Sequence, residues 1–220
     1  MSGRLVIAID GPGGSGKSSV SRGVARNLGL DYLDTGAMYR SITWLALNHG
    51  VALSDEVAVA NLLPEARLTV STDPDRQIFT VGDTDVTESI RGSEVTAGVS
   101  SIAAIPAVRN FLVAMQQDIA RRASFGIVLE GRDIGNVVLP DADLKVYLTA
   151  DEDARAARRA GEVSGNVDDT KASLAIRDRA DSTRRVSPLE VAPDAITVDT
   201  THMSLDEVIA HIVNLAASKP

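Results

Sequence analysis

The chain has 220 residues, of which 44% are hydrophobic and 24% are charged, an ordinary composition for a globular protein with one sizeable core. Its 30 acidic residues outnumber its 22 basic ones, and the net charge of −8 makes a nucleic-acid backbone an unfavourable partner. It has no cysteine, which excludes disulfides and thiolate metal sites. A strand predicted at the start leaves no room for a signal peptide, and no apolar run reaches about 18 residues. We therefore expect a cytoplasmic protein without a membrane partner.

The first predicted strand, Arg4–Asp10, leads directly into a segment that matches the phosphate-loop pattern G-x-x-x-x-G-K-[ST]. Apolar residues then recur every four positions as far as Gly29, which predicts a helix with a C-terminal stop. Lys17 is expected to reach the outer phosphates and the Ser18 hydroxyl to contact Mg²⁺. A glycine-rich turn that binds nothing is the alternative, but the order strand, loop, helix favours a nucleoside triphosphate. The predicted ATP-binding segment consists of Gly11, Pro12, Gly13, Gly14, Ser15, Gly16, Lys17, Ser18 and Ser19.

A second short strand is predicted at Asp31–Asp34, followed by a helix from Ala37 to Asn48. Thr35, Tyr39 and Arg40 then lie at the carboxyl end of the strand and on the first turns of the helix. In an open α/β sheet this is the edge at which ligands bind. Tyr39 and Arg40 fit an ordinary capping aromatic and a solvated charge equally well, and spacing alone leaves both interpretations open.

After the second predicted helix, the pattern changes from buried strands and helices to a short helix and alternating strands. A short helix is predicted over Leu53–Leu63 with Ser54 as its N-cap, and two alternating strands follow around a tight loop between Arg67 and Val81. Gly82–Asp85 predicts a further turn. This small antiparallel insert, about residues 64–92, is either a substrate clamp or a decoration of the fold. Its place just after the second strand favours a clamp that binds the acceptor nucleotide.

Residues 93–123 are predicted to be helical, with a break at Pro106, which suits the first turn of a new helix. Ser100 near the end of the first helix and Arg109 near the start of the second therefore lie near one bend. The expected buried face of the second helix consists of Val108, Leu112, Met115 and Ile119.

A third buried strand, Gly126–Glu130, ends in Gly131-Arg132-Asp133. An apolar strand that delivers an acid to the phosphate edge resembles the second acidic element of phosphate-loop enzymes. A capping acid is the alternative. Given the phosphate loop, we favour a functional role for Arg132 and Asp133.

Two further strands are predicted at Leu144–Leu148 and Ala195–Asp199, and a closing helix at Leu205–Ala217 is capped by Ser204. Buried strands that alternate with helices predict an α/β fold, a doubly wound five-stranded parallel sheet of the phosphate-loop type. The antiparallel insert and a helical lid are added to it. We expect one kinase domain that spans residues 1–220.

Two polar helices are predicted at Asp151–Gly161 and Val167–Asp181. A solvated, salt-bridged helix pair is one interpretation. The other is a mobile lid, about residues 155–187, whose planar guanidinium groups close on phosphates. The bias towards arginine favours the lid. The seven arginines are Arg155, Arg158, Arg159, Arg177, Arg179, Arg184 and Arg185.

A short chain with an insert, a lid and many arginines suits a small kinase that encloses both nucleotide and acceptor, because water would otherwise accept the phosphoryl group. The Asn-Lys-x-Asp segment of guanine-binding proteins does not occur. From the residues alone, a kinase for another nucleoside monophosphate or a small alcohol remains open. So does a nucleotide-binding regulator without turnover.

Six groups of segments resemble the bacterial cytidylate kinases, a family of phosphate-loop nucleoside monophosphate kinases, and the resemblance runs from Leu5 to about Ile212. It implies transfer of the γ-phosphoryl group of ATP to CMP or dCMP, with Mg²⁺. No exposed apolar helix face or heptad predicts more than a monomer. The segments are Ile9–Pro12; Asp34–Arg40; Ile90–Arg91 with Glu94–Val95; Glu130–Gly135; Val138–Ala142; and Asp181–Arg184 with Ser187–Leu189.

The resemblance also implies roles for individual residues. Arg40, Arg132 and Arg177 would hold the acceptor phosphate, and Tyr39 would belong to the same pocket. Ser100, Arg109, Asp133 and Arg184 would contact the cytosine edge. Thr35 and Asp181 would hold the pentose hydroxyls. Arg155, Arg158 and Arg159 would belong to the lid over ATP. The catalytic set would be Lys17, Arg132, Asp133 and Arg177.

Two departures from the family pattern stand out. Val167–Lys171 carries few of the basic residues expected in this lid, which weakens the implied lid contacts. Thr35 occupies a position where some relatives have serine, but the hydroxyl group is retained.

Overall fold

The computed structural model describes residues 4–163 and 165–219. The predicted domain of residues 1–220 and the predicted lid thus each include positions outside the described residues, in the lid Ser164. The chain divides into two compact units. The first contains the residues up to Tyr32 together with those from Ala123 onwards, and the second is Leu33–Arg122.

The secondary structure elements follow the predicted order, with small differences at their ends and one short strand, Thr84–Asp85, that was not predicted. In chain order they are β1 (Leu5–Asp10), α1 (Lys17–Leu28), β2 (Asp31–Asp34), α2 (Thr35–Asn48), α3 (Glu56–Leu62), β3 (Thr69–Val70), β4 (Phe79–Val81), β5 (Thr84–Asp85), α4 (Ser93–Ala104), α5 (Pro106–Arg122), β6 (Gly126–Gly131), β7 (Leu144–Thr149), α6 (Glu152–Val163), α7 (Val167–Thr183), β8 (Ile196–Asp199) and α8 (Leu205–Ala217). Two 3₁₀ turns, Leu63–Glu65 and Ser89–Arg91, and a π-helical turn, Ile134–Val138, lie between them.

The five-stranded parallel sheet has the order β2-β6-β1-β7-β8, which confirms the predicted fold class. In the register of the sheet, Asp10 at the end of β1 lies opposite Gly131 of β6 and Tyr147 of β7. The chain leaves β1 for β2 on one side and later reaches β7 and β8 on the other. The loop after β1 therefore lies at the point where the strand order reverses, the usual ligand-binding position in such sheets.

The core of the first unit forms around β1, whose residues Ile7, Ala8 and Ile9 are completely buried. A strand covered on both faces needs such a continuous apolar run. Helices α1 and α8 pack against each other, and Gly23 allows their close approach. A Cβ atom at Gly23 would lie 2.2 Å from Cδ1 of Ile209.

The second unit contains a small antiparallel sheet with the order β3-β4-β5. The predicted turn at Gly82–Asp85 is wrong in its extent, because Thr84 already pairs with Val81. Only Gly82 and Asp83 form the loop. Gly82 has a φ of +59°, the left-handed conformation that a two-residue hairpin loop requires.

Helix α3 also begins later than predicted. Its N-cap is Asp55, whose Oδ1 accepts a hydrogen bond of 2.9 Å from the backbone N–H of Ala58, so the expected cap at Ser54 is wrong. The closing helix is as predicted, because the Ser204 hydroxyl and the Glu207 carboxylate form a reciprocal capping box.

The chain bends by 94° at the predicted break between helices α4 and α5. None of the described helices is by itself long and apolar enough to cross a membrane, whereas these two reach that length and composition only as a bent pair. The expected buried face of α5 is partly wrong. Val108 and Leu112 are buried, but Met115 and Ile119 are half-buried and Gln116 takes the inward position.

Candidate active site

The phosphate loop connects β1 to α1 through backbone conformations that favour glycine. Gly14 has a φ of +71°, and a Cβ atom there would lie 2.6 Å from the carbonyl oxygen of Arg155. The N-cap of α1, Gly16, has a φ of +84° and no side chain to cap the first helical turn. The N–H groups of this turn and the helix dipole therefore favour an anion at the loop.

Lys17, the first residue of α1, folds back over this loop. Its Nζ donates hydrogen bonds to the carbonyl oxygen of Pro12 at 2.8 Å and to Oγ of Ser15 at 3.5 Å. Burial, together with the positive charge of Arg132, lowers the pKa of Lys17 to about 7, although Glu130 and Asp10 act in the opposite direction. A phosphate at the loop would favour the charged ammonium.

Asp10 links the phosphate loop to the segment that follows β6. Its two carboxylate oxygens accept hydrogen bonds of 2.8 Å from the backbone N–H groups of Ile134 and Gly135. Burial raises the pKa of Asp10 to about 6, although these two N–H groups lower it. Asp10 thereby holds the turn directly after Arg132 and Asp133.

The side chain of Arg132, which follows β6, packs against the phosphate loop. Its Nη1 donates to the carbonyl oxygen of Gly11 at 2.5 Å, and its Nε donates to Oδ2 of Asp181 at 2.8 Å. Burial by itself would raise the pKa of Asp181, but the positive charges of Arg132, Arg184 and Arg177 hold it below its usual value. The structure thus brings the predicted residues Arg132, Arg177 and Asp181 together.

A second arginine reaches the loop from the predicted lid. Arg155 donates from Nη1 to the carbonyl oxygen of Gly13 at 2.9 Å, and the same nitrogen donates to Oδ2 of Asp178. Oδ1 of Asp178 accepts the backbone N–H of Gly13 at 2.9 Å. Helix α7 therefore contacts the phosphate loop directly through Asp178.

Asp133 and Arg184 form a buried ion pair, with 3.4 Å between Oδ1 and Nη2. Nε of Arg184 also donates to the carbonyl oxygen of Ser187, which fixes the guanidinium plane. A carboxylate beside a guanidinium offers one acceptor and several donors. This combination can match a base that presents both an amino group and ring acceptors.

The other two predicted lid arginines contact protein groups away from the loop backbone. Arg158 donates to Oγ1 and to the carbonyl oxygen of Thr200, at 2.9 and 2.6 Å. Arg159 pairs with Glu162 one helical turn later, at 2.8 Å.

The remaining predicted acceptor residues belong to the second unit. The Arg109 guanidinium lies over the Tyr39 ring, 5.7 Å from its centroid. Nη1 of Arg40 donates to Oγ1 of Thr96 at 2.7 Å. Thr35 is buried at the start of α2, and Ser100 is half-buried on α4.

No group of three or more histidine, aspartate or glutamate side chains that could hold a metal ion occurs within residues 4–163 and 165–219. Ser18, half-buried on the first turn of α1, offers a hydroxyl oxygen. Such a single oxygen ligand suits Mg²⁺, which keeps several waters and is bound largely through substrate phosphates.

The phosphate loop lies at the switch point of a parallel sheet, and two arginine side chains donate to its backbone carbonyl oxygens. These features define the class of phosphate-loop kinases. The gluconokinase from Sinorhizobium meliloti 1021 has a similar fold, with a TM-score of 0.50, 15% sequence identity, and coverage of 97% of this chain and 91% of that one. At this identity the similarity concerns the fold alone.

Comparison with sequences of known proteins identifies the family within the phosphate-loop kinases. The family described as cytidylate kinase matches residues 7–218. The cytidylate kinase of Streptomyces avermitilis is 49% identical over 216 residues, which cover 98% of this chain and 94% of the relative. That of Nocardia farcinica is 51% identical over 220 residues with the same coverage. This chain therefore belongs to the cytidylate kinase family, and the predicted resemblance and kinase class are confirmed.

Asp10 and Asp178 form central contacts that the sequence did not single out. Asp10 directly precedes the loop motif, and a buried acid at the end of an apolar strand was the available signal. Asp178 lies three residues before Asp181, on the same face of a helix. That spacing was visible, but its partner at Gly13 is 165 residues away.

Proposed function

We propose that this protein transfers the γ-phosphoryl group of ATP to CMP or dCMP and releases ADP with CDP or dCDP. The match to cytidylate kinases over nearly the whole chain carries this proposal. The geometry supports it, because the phosphate loop, two loop-bound arginines and a carboxylate–guanidinium pair occur in one unit.

On the donor side, the loop from Gly11 to Ser19 binds the phosphates of ATP through its N–H groups. Lys17 supplies a positive charge that can follow the outer phosphates during transfer. Arg155 adds a guanidinium that is already held against Gly13. Arg158 and Arg159 lie on the same helix and belong to the proposed lid over ATP, and in this structure they contact Thr200 and Glu162.

On the acceptor side, Arg132, Arg177 and Arg40 hold the CMP phosphate. Asp133 accepts a hydrogen bond from the cytosine amino group, and Arg184 donates to the ring acceptors. Uracil presents a carbonyl oxygen where cytosine has its amino group, so it should bind less well. Ser100 and Arg109 complete the base contacts, Tyr39 belongs to the pocket of the acceptor phosphate, and Thr35 and Asp181 hold the pentose hydroxyls.

Mg²⁺ would be held by Ser18, by phosphate oxygens and by water, and it would neutralise charge on the transferred group. The protein then needs no dedicated general base, because positioning and charge neutralisation supply most of the catalysis of phosphoryl transfer.

We also propose that the insert at about residues 64–92 acts on the acceptor, that residues 155–187 act as a lid, and that the protein works as a cytoplasmic monomer. The compact antiparallel sheet supports the first proposal. The contacts of Arg155 and Asp178 with the phosphate loop support the second.

The substitution Lys17→Ala tests the donor site. It removes the loop cation, so ADP release from ATP, Mg²⁺ and CMP should be abolished while the variant remains folded by circular dichroism. Undiminished turnover in folded Lys17→Ala would contradict the proposed site.

A further inference from the structure

Asp178 joins the lid helix α7 to the phosphate loop by a closed ring of hydrogen bonds. Its Oδ1 accepts the N–H of Gly13 at 2.9 Å, and its Oδ2 accepts from Nη1 of Arg155. Nη1 of Arg155 in turn donates to the carbonyl oxygen of Gly13 at 2.9 Å. The backbone N–H and the carbonyl oxygen of Gly13 are thus both bound by the ion pair of Asp178 and Arg155.

The arrangement repeats one turn further along α7. Asp181 pairs with Arg132, and Arg132 donates to the carbonyl oxygen of Gly11. Two carboxylates three residues apart on α7 therefore each hold a guanidinium on alternate carbonyl oxygens of the phosphate loop. Leu174 packs against the same place, because a Cβ atom at Gly13 would lie 2.6 Å from its Cδ2.

The contacts of Arg155 determine its orientation. Its Nε donates to the carbonyl oxygen of Ala150 at 3.2 Å, and its Nη1 donates to Gly13 and Asp178. Its Nη2 group makes no hydrogen bond with any residue that the structure describes. A planar guanidinium fixed at two of its nitrogens presents the third in one direction, which suits a phosphate oxygen.

We propose that Asp178 is a positioning residue for phosphoryl transfer, which holds the Arg155 guanidinium on the phosphate loop so that its Nη2 group meets a phosphate oxygen of the bound nucleotide. This rests on the proposed kinase function. Asp178 acts through Arg155 and does not touch the substrate.

The substitution Asp178→Asn tests this role. The amide keeps one acceptor for the N–H of Gly13, but its NH₂ group faces the Nη1 donor of Arg155. We expect kcat with CMP to fall about tenfold to a hundredfold, because small misplacements have effects of this size. The KM for CMP should stay within about twofold, and the melting temperature should fall by no more than about 4 °C.

A double-mutant cycle separates positioning from a general structural role. If Asp178 acts through Arg155, then Asp178→Asn in an Arg155→Ala background should lower kcat by less than about twofold further. Multiplying losses in kcat, or a single Asp178→Asn variant with wild-type kcat, would overturn the proposal. Arg155→Lys keeps the charge but loses the planar fork, and it should reproduce most of the loss.

Asp169→Asn is the matched control, since Asp169 is an exposed acid on the first turn of the same helix. It should leave kcat unchanged. The acceptor that the wild-type protein prefers is used in every assay. If that acceptor is neither CMP nor dCMP, the proposed function fails, while the comparison of variants still decides the role of Asp178.

Discussion

The charge of Lys17 depends on what occupies the phosphate loop. Burial and the charge of Arg132 lower its pKa from 10.5 to about 7. Between these two values the folded protein holds a neutral amine, whereas bound phosphates favour the ammonium. Nucleotide binding should therefore take up a proton above about pH 7, and rising pH should oppose binding.

The first prediction follows from this sign. The association constant for ADP should decrease as the pH is raised from about 7.5 to about 9, by at most about tenfold per pH unit. Calorimetry in buffers of different ionisation enthalpy should detect the proton uptake. Lys17→Arg keeps a charge that does not titrate in this range, so its affinity should be nearly independent of pH. Wild-type affinity without pH dependence would contradict the assignment.

Arg184 carries the second prediction at the residue scale. Arg184→Ala removes the guanidinium paired with Asp133, so the KM for CMP should rise by about tenfold or more. The KM for ATP should change by less than about threefold. Steady-state kinetics with each substrate varied in turn measures both. The exposed Arg122 on α5 provides the control Arg122→Ala. Equal effects of Arg184→Ala on both substrates would contradict the placement of Arg184 at the base.

At the scale of elements, the sequence predicted every strand of the parallel sheet, because short apolar runs between polar turns are a strong local signal. The sequence also predicted the phosphate loop, because its motif is contiguous and so is likewise a local signal. The sequence does not determine a helix boundary where two neighbouring residues can both act as the N-cap. Ser54 and Asp55 are both good N-caps, and only the structure shows that Asp55 accepts from Ala58.

Contacts between distant segments could not be predicted from pattern. The ring formed by Asp178, Arg155 and Gly13 joins three parts of the chain, and the lid arginines are alike in the sequence. Arg155 reaches the loop, whereas Arg158 contacts Thr200. Their different environments arise only after the helices pack.

Helix α5 supplies a prediction about stability. Gln116 is completely buried, and neither atom of its amide group has a hydrogen-bond partner among the residues that the structure describes. Burial of an unpaired polar group is unfavourable, and methionine has a similar length without polar hydrogen-bonding groups. Gln116→Met should raise the free energy of unfolding by about 1 kcal/mol.

Urea denaturation followed by circular dichroism measures this difference. The adjacent, half-buried position provides the control Gln117→Met, which should bring no gain. An unchanged or lower free energy of unfolding for Gln116→Met would show that the amide is satisfied in solution.

At the scale of the whole molecule, two compact units are built from one chain, and the second, Leu33–Arg122, begins within β2 and ends before β6 in the sequence. The first unit carries the phosphate loop with helices α6 and α7, which form most of the proposed lid. The second carries the antiparallel sheet and the residues Tyr39 and Arg109. All the residues proposed to contact ATP belong to the first unit.

The acceptor preference is the most direct test of the proposed function. ADP release is measured with ATP and Mg²⁺ in the presence of CMP, dCMP, UMP, AMP or GMP in turn. We expect CMP, alone or with dCMP, to give the fastest turnover, because Asp133 and Arg184 complement the hydrogen-bonding groups of cytosine. Faster turnover with UMP, AMP or GMP, or no turnover with CMP while ATP still binds, would contradict it.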